Sequence, residues 1–318
     1  MTTRPAVPVE VSVHAYAVHV PGAGTWETGG AAAEGESMCS ADEAYLVLGR
    51  KGLLAKEPST RLALCAVHRA YGLPPGKVEG PLPLADRTAV VVSSNLGNLQ
   101  TVCTMAAGVR VEGFRTVSPL EAPNASSNVV ASTIAIRYGF TGPNIMLCNG
   151  ATSGLDAVRY GARLIRAGRA DRAVVVGVEP DDEISQALAK SRDPRTYRDV
   201  GAPALRAAAA CVVLGRVDQT SDIGGAVLGA TGVVAPGALP PAGAGGLRFL
   251  PYGTAADSDL TIDITARLGE TYGALGVLQT AAAAARIGAG EATEVHAACG
   301  DAVEGYAWLT LRAGTVAA

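Results

Sequence analysis

The chain has 318 residues, 48% of them hydrophobic, with 26 Lys and Arg against 29 Asp and Glu for a formal charge of −3. That is enough chain for one large or two medium domains with a sizeable core. So weak a charge, with no basic stripe interleaved with aromatics, argues against a nucleic-acid partner, and no apolar run of about 18 residues is present to span a membrane.

Met1-Thr2-Thr3-Arg4 opens no hydrophobic leader region, so a cytoplasmic location is expected. Residues 9–17 alternate as in a half-buried strand, with Val9, Val11, Val13, Ala15 and Ala17 on one face. Residues 22–36 are rich in Gly and Ala and read as a loop. Residues 58–72 read as a helix with Ser59 or Thr60 as N-cap. The Val-rich run Ala89 to Val92 has the character of a buried parallel strand. Helical spacing returns at 97–108, at about 125–138 and at 152–167. Ala173 to Val178 and Ala207 to Leu214 read as further buried strands. Asp181-Asp182-Glu183 opens a helix, where acidic residues suit the dipole. In the last third, 224–234 suggests a strand, 235–246 a loop, Phe249 to Tyr252 a strand and 273–287 an Ala-rich helix. Val295 to Ala298 and Ala307 to Arg312 complete a pair of strands. This alternation argues an α/β fold with mostly parallel sheets.

Six cysteines (Cys39, Cys65, Cys103, Cys148, Cys211, Cys299) and four histidines show no metal-ligand spacing, and no metal is expected. Reduced, buried thiols are the expected state. Cys148 falls on the strand before the turn at 149–151 and is expected in the sheet.

The informative stretch is 142–160. An apolar strand, Ile145 to Cys148, meets a small-residue turn, and a helix starts at about Thr152. Such an elbow displays one side chain and offers free N–H groups to an oxyanion. At its tip stands Ala151, which cannot attack anything. The surrounding residues resemble the nucleophile elbow of the β-ketoacyl synthases of the thiolase-like superfamily. Gly142-Pro143 precedes Asn149-Gly150-Ala151-Thr152-Ser153-Gly154, and Leu164-Ile165-Arg166-Ala167-Gly168-Arg169-Ala170-Asp171 follows. Ala173 to Glu179 resembles the family strand ending Gly-Gly-x-Glu, with Val176 replacing the first glycine. Ala122-Pro123-Asn124, Asn128 and Ile134-Ala135-Ile136 resemble the family's Ile-Pro-Asn helix.

The resemblance implies a layered αβαβα fold from two βαβ-type halves, 1–220 and a shortened 221–318, forming one globular unit. It also implies what is missing. The family's cysteine falls on Ala151. Its first histidine falls on Tyr252, in Tyr252-Gly253-Thr254-Ala255-Ala256-Asp257. Its second falls on Glu270, in Gly269-Glu270-Thr271-Tyr272-Gly273-Ala274-Leu275-Gly276. Condensation needs a thiolate and two imidazoles, so this chain is expected to be inactive alone. It resembles the chain-length factor of type II polyketide synthases, including the trimmed form of highly reducing, polyene-making systems. The implied partners are a catalytic ketosynthase, in a heterodimer or a dimer of heterodimers, and an acyl carrier protein. Acyl groups would ride on the carrier's phosphopantetheine, with no cofactor on this chain.

The implied tunnel or interface wall is Asn124, Ala125, Ser126, Ser127, Val129 and Val130, with an ordinary interface helix as the plainer reading. The alternative is a remade acid–base pair of Tyr252 and Glu270 in a stand-alone acyl-transfer, cyclisation or decarboxylation enzyme, with Glu270 as a structural hydrogen-bonding or ion-pairing group as the plainer reading. Ser153 is expected to cap the helix rather than to act as nucleophile. Lys190, Arg192, Arg195 and Arg198 are solvated loop charges or contacts for the acidic carrier.

Overall fold

The computed structural model describes residues 9–25, 27–32, 38–191, 203–217, 225–238, 240, 246–251 and 260–314. The strands are β1 Val11–His19, β2 Thr88–Ser93, β3 Asn144–Leu147, β4 Arg172–Glu179, β5 Ala208–Arg216, β6 Ala226–Val234, β7 Leu247–Phe249, β8 Thr261–Ile262, β9 Glu294–Asp301 and β10 Gly305–Ala313. The helices are α1 Tyr45–Leu48, α2 Pro58–Ala70, α3 Leu99–Glu112, α4 Val129–Tyr138, α5 Ser153–Arg166, α6 Glu183–Ser191, α7 Ile264–Leu268 and α8 Leu275–Gly288.

Among the described residues ten strands join one sheet in the order β3-β2-β4-β5-β1-β6-β10-β9-β7-β8. The order of the first five in the chain is repeated, in mirror image, by the last five. The sheet is mixed rather than mostly parallel: β2 runs parallel to β3 and β4, and β7 to β8 and β9, whereas β1, β5, β6 and β10 pair antiparallel with their neighbours. The connection from β4 through α6 brings β5 back from the end at which β4 left. A return of that kind needs no crossover and gives an antiparallel neighbour.

Helices cover both faces of the first half. Val90 and Val92 pack with α2 and α4 in one cluster, while Val91 packs with α5 and α8 in the other. A strand enclosed on both faces has no reason to alternate, which accounts for the unbroken valines of β2 and β4. The 14-residue helices α5 and α8 form the shared middle layer and pack on each other.

Several expected boundaries move. The alternation of β1 is interrupted: Val13 pairs with Leu214 and Ala15 with Val213, so His14 is an extra residue. One inserted residue reverses the facing of all that follow. Val11, Val13 and Val18 therefore face the α5/α8 layer, and Ala15 and Ala17 face α2. The helix expected at 58–72 opens on Pro58 with Glu57 as its flanking residue. Ser59 lies inside the first turn, and its hydroxyl donates to Gly97 O at 2.6 Å. The helix expected from 125 starts at Val129, preceded by a 3₁₀ turn over Ala122–Ala125. Pro123 opens that turn, and the polar run 126–128 interrupts the helical ladder. The strand expected at Phe249 to Tyr252 is Leu247–Phe249. The cysteines divide: Cys65, Cys211 and Cys299 are buried, Cys39 is half-buried, and Cys103 and Cys148 are exposed. Cys148 lies one residue past β3, an edge strand paired only with β2, so no neighbouring strand covers it.

Candidate functional site

Two elbows meet at the centre of the molecule. In the first, β3 runs into a 3₁₀ turn, Gly150–Thr152, and then α5. In the second, a 3₁₀ turn over Tyr272–Ala274 runs into α8. The helices cross where two glycines touch: a Cβ on Gly154 would lie 2.6 Å from Gly276 N, and one on Gly276 would overlap the Leu155 backbone. Backbones can approach so closely only where both side chains are absent.

Glu179, fully buried at the end of β4, ties the elbows together. One carboxylate oxygen accepts from Asn95 N (2.7 Å) and Gly273 N (3.0 Å). The other accepts from Leu96 N (3.0 Å) and the Ser94 hydroxyl (3.1 Å). Burial pushes its pKa up to about 7, against the opposing pull of these donors. Asn95 in turn clamps the first elbow: its amide donates to Gly150 O at 3.0 Å and its carbonyl accepts from Gly150 N at 3.0 Å. Ser153 is buried, accepts from Asn149 N at 2.5 Å and donates to Asn95 at 3.2 Å. Its hydroxyl is consumed in holding the turn rather than in the expected capping role: Ser153 is the first residue of α5, Thr152 flanks the helix, and no side chain caps its N–H groups.

At the tip, the Ala151 N–H donates to a carboxylate oxygen of Glu304 at 2.5 Å. This N–H is the donor that an elbow would offer to an oxyanion. Here it is already engaged by the Glu304 side chain. The Tyr272 hydroxyl donates to the other Glu304 oxygen at 3.4 Å. Glu304 belongs to the β9–β10 hairpin, where Asp301 accepts from the backbone N–H groups of Val303 (2.8 Å) and Glu304 (2.7 Å) and sets the turn. Sequence reasoning missed Glu304. The local signal is only a turn, and its place opposite Ala151 follows from packing β9 and β10 beside the first elbow.

Glu270 lies in the second elbow, where its carboxylate accepts from Tyr272 N at 2.6 Å. Its backbone pairs with the strand-like segment before β5 through Glu270 N to Ala204 O (3.0 Å) and Arg206 N to Glu270 O (2.8 Å). It also lines a cavity of about 270 Å³ with Gln186, Lys190 and Leu205. Tyr252, Arg192, Arg195 and Arg198 lie outside the described residues. Asp182 accepts from the Ser185 N–H (2.9 Å) and hydroxyl (2.8 Å) and so opens α6.

The six wall candidates separate. Ala125, Ser126 and Ser127 are exposed, whereas Val129 and Val130 belong to the core under α2. Asn124 is buried, and its amide donates to Ala55 O at 2.6 Å. Asn124 also lines a cavity of about 490 Å³ between α2, α3 and α6, with Glu57, Arg61, Thr101 and Asp182. Burial pushes the Glu57 carboxyl up to about 6 there. No α3 residue is buried, and Val111, Phe114, Leu120 and Ile136 expose more than two thirds of their surface.

Comparison with known proteins places these features. The family model "Beta-ketoacyl synthase, N-terminal domain" matches residues 25–217, more than half of the chain. The 3-oxoacyl-[acyl-carrier-protein] synthase 2 of Vibrio cholerae is 35% identical over 95 residues, which is 30% of this chain and 23% of that protein. The Coxiella burnetii protein of the same name is 26% identical over 137 residues, 42% of this chain and 32% of its own length. The matched stretches thus span about a third or less of these relatives. Among solved structures, the ishigamide ketosynthase/chain length factor aligns over 96% of this chain and 100% of its own, with a TM-score of 0.70 at 19% identity. A type II polyketide synthase acyl-carrier protein in complex with its ketosynthase bound to the hexaketide (AntDE:AntF) aligns over 97% and 100%, with a TM-score of 0.72 at 13% identity. The fold is that of the thiolase-like ketosynthases. Among the described residues, no helix is long and apolar enough to cross a membrane.

Proposed function

We propose that this chain, which belongs to the β-ketoacyl synthase family, is a non-catalytic subunit that pairs with a cysteine-bearing ketosynthase and shapes the tunnel in which that partner extends an acyl chain. One observation carries the reading. The tip of the elbow is a methyl group, and its oxyanion-type N–H is held by Glu304. A group that must stabilise developing negative charge cannot do so while a carboxylate occupies it. The scaffold around the tip is otherwise maintained by Glu179, Asn95 and the Gly154–Gly276 crossing, as a subunit kept for its shape would need.

The face available to a partner is α3, the segment 114–127 and the edge strand β3. An edge strand with unpaired backbone groups beside exposed apolar side chains invites pairing with another chain. Acyl groups would arrive on an acyl carrier protein and react on the partner's cysteine. The alternative, an acid–base enzyme built on Tyr252 and Glu270, draws no support from Glu270, whose carboxylate accepts a backbone N–H of its own turn.

The test is co-expression with a ketosynthase of the same pathway. The expected result is a defined heteromeric complex that makes product, with neither subunit active alone. Replacing the exposed Ala125 or Ser126 by Trp should then shorten the product while the complex still assembles. A soluble homodimer that turns over substrate without a ketosynthase would overturn the reading.

A further inference from the structure

The spacing of cysteines and histidines along the chain suggests no metal site, but the fold brings three of them together. His19 ends β1, Cys39 lies in the segment before α1, and Cys65 lies on α2. One ligand atom from each falls within 4.8 Å of the other two. His19 and Cys65 are fully buried and Cys39 is half-buried. His19 Nε2 is 3.7 Å from Cys39 Sγ and 2.9 Å from the Cys39 carbonyl oxygen.

We propose that His19, Cys39 and Cys65 form a binding site for a single thiophilic cation of the zinc class. Bonds of about 2.0 Å to nitrogen and about 2.3 Å to sulfur at a tetrahedral angle place the two donors about 3.5 Å apart. The observed separation of 3.7 Å therefore needs little movement to admit the ion. Soft sulfur with imidazole is the donor set such ions select. In the metal-free chain His19 Nε2 donates to the Cys39 carbonyl, so the ion takes the place of that hydrogen bond as the ring proton passes to the buried, unpartnered Nδ1. Each thiol releases its proton to solvent as the ion binds, because the thiolate is the ligand. Two thiolates and a neutral imidazole then cancel a 2+ charge. With its donors drawn from a strand, a loop and a helix, the bound ion staples the segment around Cys39 onto α2 and the end of β1. Its donors lie on β1, on α2 and before α1, none of them in either elbow, so the site is independent of the reading of Ala151.

The experiment uses the full chain, purified under reducing conditions with its partner subunit if solubility requires it. Metal content is measured by elemental mass spectrometry after equilibration with Zn²⁺, and the ligand set is read from sulfur-to-cobalt charge-transfer absorption with Co²⁺. One equivalent per chain is expected. In Cys39→Ser and Cys65→Ser the affinity should fall at least about tenfold and the charge-transfer band should weaken. Cys103→Ser, at an exposed position on α3, should leave both unchanged. Failure of the unmodified chain to retain Zn²⁺ or develop the band would overturn the proposal. So would binding that survives Cys39→Ser, or a Cys39–Cys65 disulfide found in place of metal.

Discussion

Ala151 and Glu304 define what the elbow can do. A cysteine restored at 151 would sit against the Glu304 carboxylate, with no imidazole among the described residues of either elbow. Negative charge beside a thiol disfavours its thiolate. The Ala151→Cys thiol is therefore expected to alkylate with a half-maximal rate at or above about pH 8.5, the value of a free cysteine, as peptide mapping after iodoacetamide at a series of pH values would show. A half-maximal rate near neutrality would mean that an activating group persists. Glu179 gives a second prediction. Its folded pKa of about 7 lies above its ordinary value of 4.5, so the folded state holds this proton more tightly than the unfolded chain. The stability it contributes is present below the ordinary value and is lost as pH rises towards 7. The difference in melting temperature between the native chain and Glu179→Gln should therefore shrink from pH 5 to pH 7.5, by up to about 3 kcal/mol in free energy. A difference that grows over that window would contradict the assignment. Ala151 was legible in the sequence because a motif surrounds it. Glu304 was not, because nothing in the short turn between Asp301 and Gly305 announces the elbow it faces.

The two elbows show which elements a sequence exposes. The strand-turn-helix unit was readable over 142–167 and the Ala-rich helix over 273–287, since small-residue turns and helical spacing are local. The crossing of the helices was not, yet it explains why glycine stands at 154 and 276. Gly276→Ala should destabilise the chain by about 3 kcal/mol or more, because the new methyl meets backbone that cannot rotate away. Gly288→Ala, in the last turn of the same helix with nothing near its Cβ, should be neutral or stabilising by up to about 1 kcal/mol. Thermal unfolding of the pair separates contact from propensity, and equal effects would remove the argument. On β1 the period-two pattern gave the strand but the wrong face for Ala15 and Ala17, because alanine and valine look alike to a hydrophobic pattern and the bulge at His14 does not. On α3 the helical spacing was correct, while the absence of any buried residue on it became visible only in three dimensions.

At the scale of the molecule, the mirrored strand order makes the sheet one continuous frame with its two elbows at the centre. Alternation along the sequence indicated the α/β class. It could not give strand direction, because buried parallel and antiparallel strands of valine and alanine carry the same pattern. We propose the exposed apolar run from α3 to Leu120 as the surface through which such a frame would join a second subunit. Val111→Asp combined with Phe114→Asp should abolish the complex with a ketosynthase on size-exclusion chromatography and leave the unfolding free energy of the isolated chain within about 1 kcal/mol of native, since both side chains are already exposed. Loss of folding would instead place them in the core of this chain. The most direct test of the account is the intact mass of each subunit after the assembled complex is incubated with an acyl carrier protein bearing a radiolabelled or mass-tagged acyl group. The account predicts the tag on the ketosynthase cysteine and none on this chain. A covalent acyl adduct on any residue of this chain during turnover would contradict it.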